Sequence, residues 1–202
     1  AASDVYKRQI YDIARSLIDE AGDSLKDADV VVFKDRAQAA IFENINNTLN
    51  SIDVRFDTYF NEHTLYEKGL VDQVVADLRA RDLVYEKDGA TWFRSTRFGQ
   101  DQDRVIIKST GEPTYRLPDI AYHREKFRRG FQWMIDVFGS DHIATVPDVL
   151  AGLKALGYDE SKVRVVLHQF VTLLRDGRQV KMSTRKATFI TADDLLEEVG
   201  SD

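Results

Sequence analysis

The sequence contains no cysteine, which excludes a disulfide framework and any thiolate metal site and fits a reducing, cytoplasmic setting. No apolar run is long enough to span a bilayer and no signal peptide opens the chain, so no membrane role is expected. Positive charge is not in excess either: a formal net charge of −6 argues against a generally basic nucleic-acid coat. A local basic surface is compatible with that balance, and Arg124, Lys126, Arg128 and Arg129 form one cluster. Internal repeats and low-complexity tracts are missing. No histidine and carboxylate grouping has zinc-site spacing, so no protein-held metal is expected, and no serine sits in a nucleophile-elbow context.

What is present is a chain of 202 residues, 43% hydrophobic and 31% charged, which is enough to bury a core and describes a soluble globular protein. It starts at Ala1 without a methionine and stops at Asp202 just after a helical pattern, so both ends are expected to be cut. Ile10, Ile13, Ala14, Leu17 and Ile18 repeat at helical spacing up to a closing Gly22. Val30 to Phe33 reads as a short strand or as helix, with helix preferred, and Phe42, Ile45, Leu49 and Ile52 share a helical face. Val54 to Phe60 alternates as a strand, and Leu65 to about Arg81 follows as a helix. Asp88-Gly89 between Leu83-Val84-Tyr85 and Thr91-Trp92-Phe93 signals a hairpin. Arg104 to Lys108 adds a strand, Thr110 to Pro113 a turn, and Thr114 to Leu117 a short extended piece before a helix ending at Gly130. Trp133 to Phe138 as a buried strand, Val146 to Leu156 as a helix closed by Gly157, and Val163 to Leu167 as a strand complete the pattern. Strands alternating with helices imply an α/β fold with a parallel sheet.

In such sheets ligands sit beyond the strand C-termini, which singles out Gly139-Ser140-Asp141-His142 and, after the short extended piece, Tyr115 and Asp119. Gly139 would let a ligand approach the backbone, and Asp141 would either accept from ribose hydroxyls or cap the next helix. Asp119 would either bind a guanidinium or cap its own helix. Near the C-terminus, Val180 to Lys186 is a tight basic loop between a strand pair ending at Arg178 and a helix capped by Thr191 with Asp194 at its third position. It reads as a polyphosphate-binding loop or as a solvated basic turn.

Taken together, Thr114-Tyr115, Asp119-Ile120-Ala121-Tyr122-His123, Gly139-Ser140-Asp141-His142, Leu174-Arg175-Asp176-Gly177 and Lys181-Met182-Ser183 resemble arginyl-tRNA synthetases, which are class I aminoacyl-tRNA synthetases. Arg55-Phe56-Asp57, Leu83-Val84-Tyr85, Asp88-Gly89-Ala90 and Asp103-Arg104-Val105 add to that resemblance. The family implies the second half of a Rossmann-like catalytic domain over residues 53–202, with a β-hairpin insertion at about 83–110 and a helical insertion over 1–52. It implies ATP with Mg²⁺, arginine and tRNA-Arg as partners, and acyl transfer through an adenylate. By the same resemblance Tyr115 and Asp119 would hold the arginine guanidinium and His142 would lie near its amino acid end. Gly139 and Asp141 would face the adenosine. Lys181, Met182, Ser183, Thr184 and Arg185 would face the triphosphate, with Lys181 catalytic.

Two departures stand out. Thr184 occupies the place of the second lysine of the family's Lys-Met-Ser-Lys-Ser loop, although Arg185 and Lys186 follow. The four histidines, His63, His123, His142 and His168, do not form the family's His-x-Gly-His signature. The N-terminal half of the catalytic domain and the anticodon-binding domain are therefore expected to be missing, and this chain alone is expected not to activate arginine. A non-catalytic synthetase-like module binding RNA or protein is the alternative.

Overall fold

The computed structural model describes residues 2–169, 171–175, 177–180 and 190–200. Helix α1 (Ala2–Ala21) ends where Gly22 takes φ of 55°, a left-handed conformation that costs glycine least. Helix α2 (Val30–Ser51) starts at Asp29, whose side chain accepts from the Val31 amide at 2.9 Å. That cap satisfies an orphan donor, and Val30 to Phe33 is helical as expected. Helices α3 (His63–Glu67) and α4 (Leu70–Ala80) replace the single helix expected there, because Gly69 at φ 61° breaks the hydrogen-bond ladder.

Strands β1 (Val84–Lys87), β2 (Ala90–Phe93) and β3 (Arg104–Ile107) form an antiparallel meander. Asp88 and Gly89 both have positive φ, at 52° and 73°, which gives the hairpin its tight turn. Then come α5 (Arg116–Arg128), β4 (Met134–Gly139), α6 (Val146–Ala155) and β5 (Val163–His168). Strands β4 and β5 pair in parallel, with Met134 opposite Val163 and Gly139 opposite His168. Last are the short antiparallel pair β6 (Leu174–Arg175) and β7 (Arg178–Gln179), and α7 (Ala192–Val199). Thr191 and Asp194 form the reciprocal capping box expected for α7, with bonds of 2.8 and 3.0 Å.

Three further expectations fail locally. Val54 to Phe60 forms no strand: its alternating pattern has no neighbouring strand to hydrogen-bond, and residues 54–59 are exposed. Thr114 to Leu117 is not an extended piece: Tyr115 is the N-cap of α5, and Arg116 and Leu117 begin that helix, because a proline within the first helical turn loses no intrahelical hydrogen bond. Strand β4 is buried on one face only: Met134 and Asp136 point inward, while Ile135 and Val137 are exposed.

The chain forms two compact units, residues 1–58 with 172–202, and residues 59–171. In the first, the Thr48 hydroxyl of α2 bonds the Asp193 carboxylate of α7 at 2.6 Å, and Arg175 pairs with Glu198 at 2.5 Å. The second holds a core in which Leu65, Val74, Leu78, Phe93, Ile106, Leu117, Ile120 and Leu153 are essentially inaccessible. Helix α5 packs closely on α6, because at Gly152 a Cβ would fall within 2.7 Å of Ile120 Cγ1. The two helices and the β4–β5 pair thereby frame one cavity.

Candidate active site

Within residues 59–171, a cavity of about 100 Å³ is lined by Asp119 and His123 from α5, Asp136 and Phe138 from β4, His142 from the turn after β4, and Thr145 and Val149 near the start of α6. It runs along the inner face of the parallel pair, from Val163 and Val165 of β5 to Phe138 near the C-terminal end of β4, and His142 just past that end is the lining residue placed where ligands sit in such sheets. Asp119 and His142 thus share one cavity although 23 residues separate them in sequence.

Of the residues singled out above, Tyr115, Asp119, Gly139, Asp141 and His142 lie among the described residues. Asp119 lies in the first turn of α5, where its negative charge suits the helix dipole, but Tyr115 and not Asp119 is the N-cap. The Asp119 carboxyl is raised above the ordinary range, first by burial and also by the nearby charge of Glu62; the charges of His123 and His142 oppose this. The residue as a whole is nevertheless exposed, and no ion pair to it is present among the described residues. Tyr115 is 54% exposed with the Arg116 guanidinium 4.8 Å from its ring centre, and it does not line the cavity.

His142 stacks on Phe138 with ring centres 5.2 Å apart, and its Nε2 lies 3.8 Å from Asp141. Asp141 sits in a 3-10 turn, and α6 is capped at Thr145 without a side-chain bond, so Asp141 is not its cap. Gly139 ends β4, and a Cβ there would lie 2.6 Å from an Asp141 carboxylate oxygen, so the absence of a side chain leaves that carboxylate room over the strand end. Lys181, Met182, Ser183, Thr184 and Arg185 lie outside the described residues. No group of three or more His, Asp or Glu able to hold a metal occurs among the described residues. No described helix is long and apolar enough to cross a membrane.

Sequence reasoning assigned no role to the group beneath the cavity. Asp136, 8% exposed, accepts from His123 Nε2 at 2.6 Å and from Lys126 Nζ at 2.8 Å, and His123 Nδ1 lies 2.8 Å from the Asp119 carbonyl oxygen. A charged residue inside the otherwise apolar run Trp133 to Phe138 was the available signal, since a buried carboxylate requires partners. Burial pushes the Asp136 carboxyl up, but hydrogen bonds from His123 and Lys126, and their charge, outweigh it and hold the group at about 2 against an ordinary 3.8.

A depressed carboxyl stabilises the fold fully above its unfolded pKa, and that contribution is lost as pH falls through the folded value. Between pH 4 and pH 2 the protein should therefore lose about 2 kcal/mol from this group. Urea unfolding across that window should show the loss in the parent chain and a flatter slope in Asp136→Asn. Parallel slopes would place the acid sensitivity elsewhere.

A parallel strand-helix-strand unit with a carboxylate and an imidazole just past its first strand is the building unit of α/β ligand-binding folds. A family model, tRNA synthetases class I (R), catalytic domain, matches residues 6–201, and the chain belongs to that family. It is 66% identical over 194 residues to an arginine–tRNA ligase of Desulfotalea psychrophila, covering 96% of this chain and 35% of that protein. Against the arginine–tRNA ligase of Salinibacter ruber it is 52% identical over 194 residues, covering 96% and 34%. A solved Campylobacter jejuni structure assigned as an arginyl tRNA synthetase superposes with a TM-score of 0.77 at 28% identity, over 94% of this chain and 41% of that one. Arginyl-tRNA synthetase from Thermus thermophilus shares the fold, with a TM-score of 0.63 at 19% identity over 90% and 38%. The chain spans about a third of the length of the curated relatives it matches.

Proposed function

We propose that this chain forms the arginine-holding part of an arginine–tRNA ligase, an enzyme that activates arginine with ATP and passes it to tRNA-Arg. The observation that carries this reading is the cavity shared by Asp119 and His142, in which a partly desolvated carboxylate has no ion pair among the described residues. A guanidinium brings the charge and the paired donors that such a carboxylate lacks. His142, beside the opening strand end, would lie toward the amino acid end of the ligand, and Tyr115 at the start of α5 would complete the guanidinium contacts.

Activation would join the arginine carboxylate to the α-phosphate of ATP as pyrophosphate leaves. The tRNA ribose hydroxyl would then attack the carbonyl as AMP leaves. Gly139 and Asp141 at the end of β4 fit a nucleoside: the strand end has no Cβ, and the exposed carboxylate accepts hydroxyl donors. For the triphosphate we assign Lys181, Met182, Ser183, Thr184 and Arg185 on sequence alone, with Lys181 meeting the charge that develops as pyrophosphate departs. Mg²⁺ would be carried mainly by the phosphates and water.

The test is calorimetric titration of the chain with arginine, lysine and citrulline, the neutral isostere of arginine. Arginine should bind roughly 100-fold tighter than citrulline, because the isostere leaves the carboxylate without a counter-charge, and lysine should fall between them for want of the planar donor pair. Equal binding of arginine and citrulline, or no binding of either, would remove the ligand role from Asp119.

A further inference from the structure

The trio beneath the cavity does more than tie α5 to β4. Both nitrogens of the His123 ring face acceptors: the main-chain carbonyl of Asp119 at 2.8 Å and the Asp136 carboxylate at 2.6 Å. A neutral imidazole has one N–H and would turn a lone pair toward one of them, whereas an imidazolium donates to both. Asp136 is shared with Lys126, so imidazolium, carboxylate and ammonium together leave one surplus positive charge in a place where His123 is 6% exposed. That surplus is next to Asp119, with which His123 lines the cavity.

We propose that His123 is a positioning residue, an imidazolium fixed by Asp136 and by the Asp119 carbonyl, which holds the neighbouring Asp119 carboxylate ionised to receive a cationic side chain. The part concerning the cationic side chain rests on the arginine reading; the part concerning Asp119 ionisation does not. The other groups acting on Asp119 are His142, which favours its anion, and Glu62 and Asp136, which oppose it. Burial and the opposing charges already hold the Asp119 carboxyl above its ordinary value with His123 in place, and without His123 it would rise further.

The test uses the full chain and two neutral substitutions. His123→Asn keeps a donor near the Asp119 carbonyl and His123→Gln keeps one near Asp136, while both remove the charge. Carbon-13 detected titration of the Asp119 carboxyl should show its midpoint rise by about one pH unit in both variants. An unchanged midpoint in either would show that the ring supplies only a hydrogen bond, and would overturn the proposal. A measurement on the unsubstituted protein decides the matter even if both variants unfold: at pH 7 both His123 ring nitrogens should give protonated nitrogen-15 shifts, and a neutral tautomer would overturn it. Arginine titrated at the pH of the parent chain's own Asp119 midpoint should then bind at least 3-fold more weakly to the variants than to the parent chain, with the difference closing at pH 8. If Asp119→Asn leaves arginine binding unchanged while the Asp119 midpoint moves as stated, the arginine reading fails and the role of His123 in Asp119 ionisation stands.

Discussion

Asp119→Asn should lower arginine affinity roughly 100-fold, corresponding to about 3 kcal/mol, while leaving the fold intact. The substitution keeps the volume and one acceptor oxygen but removes the charge that a guanidinium would neutralise. In the free protein the carboxylate bears the cost of partial burial without an ion pair among the described residues, and its raised carboxyl expresses that cost. Losing the charge should therefore leave the ligand-free protein no less stable, and slightly more so above the folded pKa of Asp119. Affinity down with stability level or up is the pattern of a group that sacrifices stability for binding. The same two measurements, calorimetric titration and urea unfolding, would show the reverse for a structural residue: stability down and affinity level.

The largest loss of stability is expected at Asp148. It lies on α6, is 3% exposed, and accepts from Arg104 Nε of β3 at 2.9 Å and from Arg116 Nε of α5 at 2.5 Å. One carboxylate thus joins α6 to β3 and to α5, the other helix that frames the cavity. Arg104 keeps a second partner, Asp101 at 2.7 Å, but no second ion pair holds Arg116 among the described residues. Asp148→Asn would leave two partly buried guanidiniums facing a neutral amide. Breaking a buried pair costs about 3–5 kcal/mol; because the arginines remain 18% and 22% exposed, about 3 kcal/mol is expected here. Tm should fall by roughly 10 °C or more. Adding Arg116→Met should recover part of the loss, because the charge left without its partner is then gone. A double variant no better than the single one would mean that Asp148 acts through its packing alone.

Several elements were legible because their causes are local. Asp88-Gly89 makes the hairpin through two adjacent left-handed residues, and Thr191 with Asp194 caps α7 within a single turn. The parallel pairing of β4 and β5 follows from the alternation of strand, helix and strand, since a crossover of that length returns the chain beside its starting strand. His142 follows directly from the rule for the ends of parallel strands, whereas Asp119 was placed after a short strand that does not exist; the two candidates share a cavity because α5 packs beside β4. Where the pattern was local but its partner was not, reading failed: Val54 to Phe60 alternates like a strand, yet a strand exists only where another supplies hydrogen bonds.

By itself, then, the sequence determined most of the helices, the hairpin turn, the parallel unit, the family and the candidate residues Asp119, Asp141 and His142. Only the tertiary structure decided which charges meet. Nothing in the spacing of Asp136 and His123, 13 residues apart, or of Asp148 and its arginines, 32 and 44 residues away, favours those pairings over others. Backbone periodicity depends on neighbours a few residues away, whereas an ion pair depends on how whole helices and strands pack. It was the packing of α5 against β4 and α6 that placed the His123–Asp136 pair beside Asp119 and kept Tyr115 out of the cavity it was expected to share.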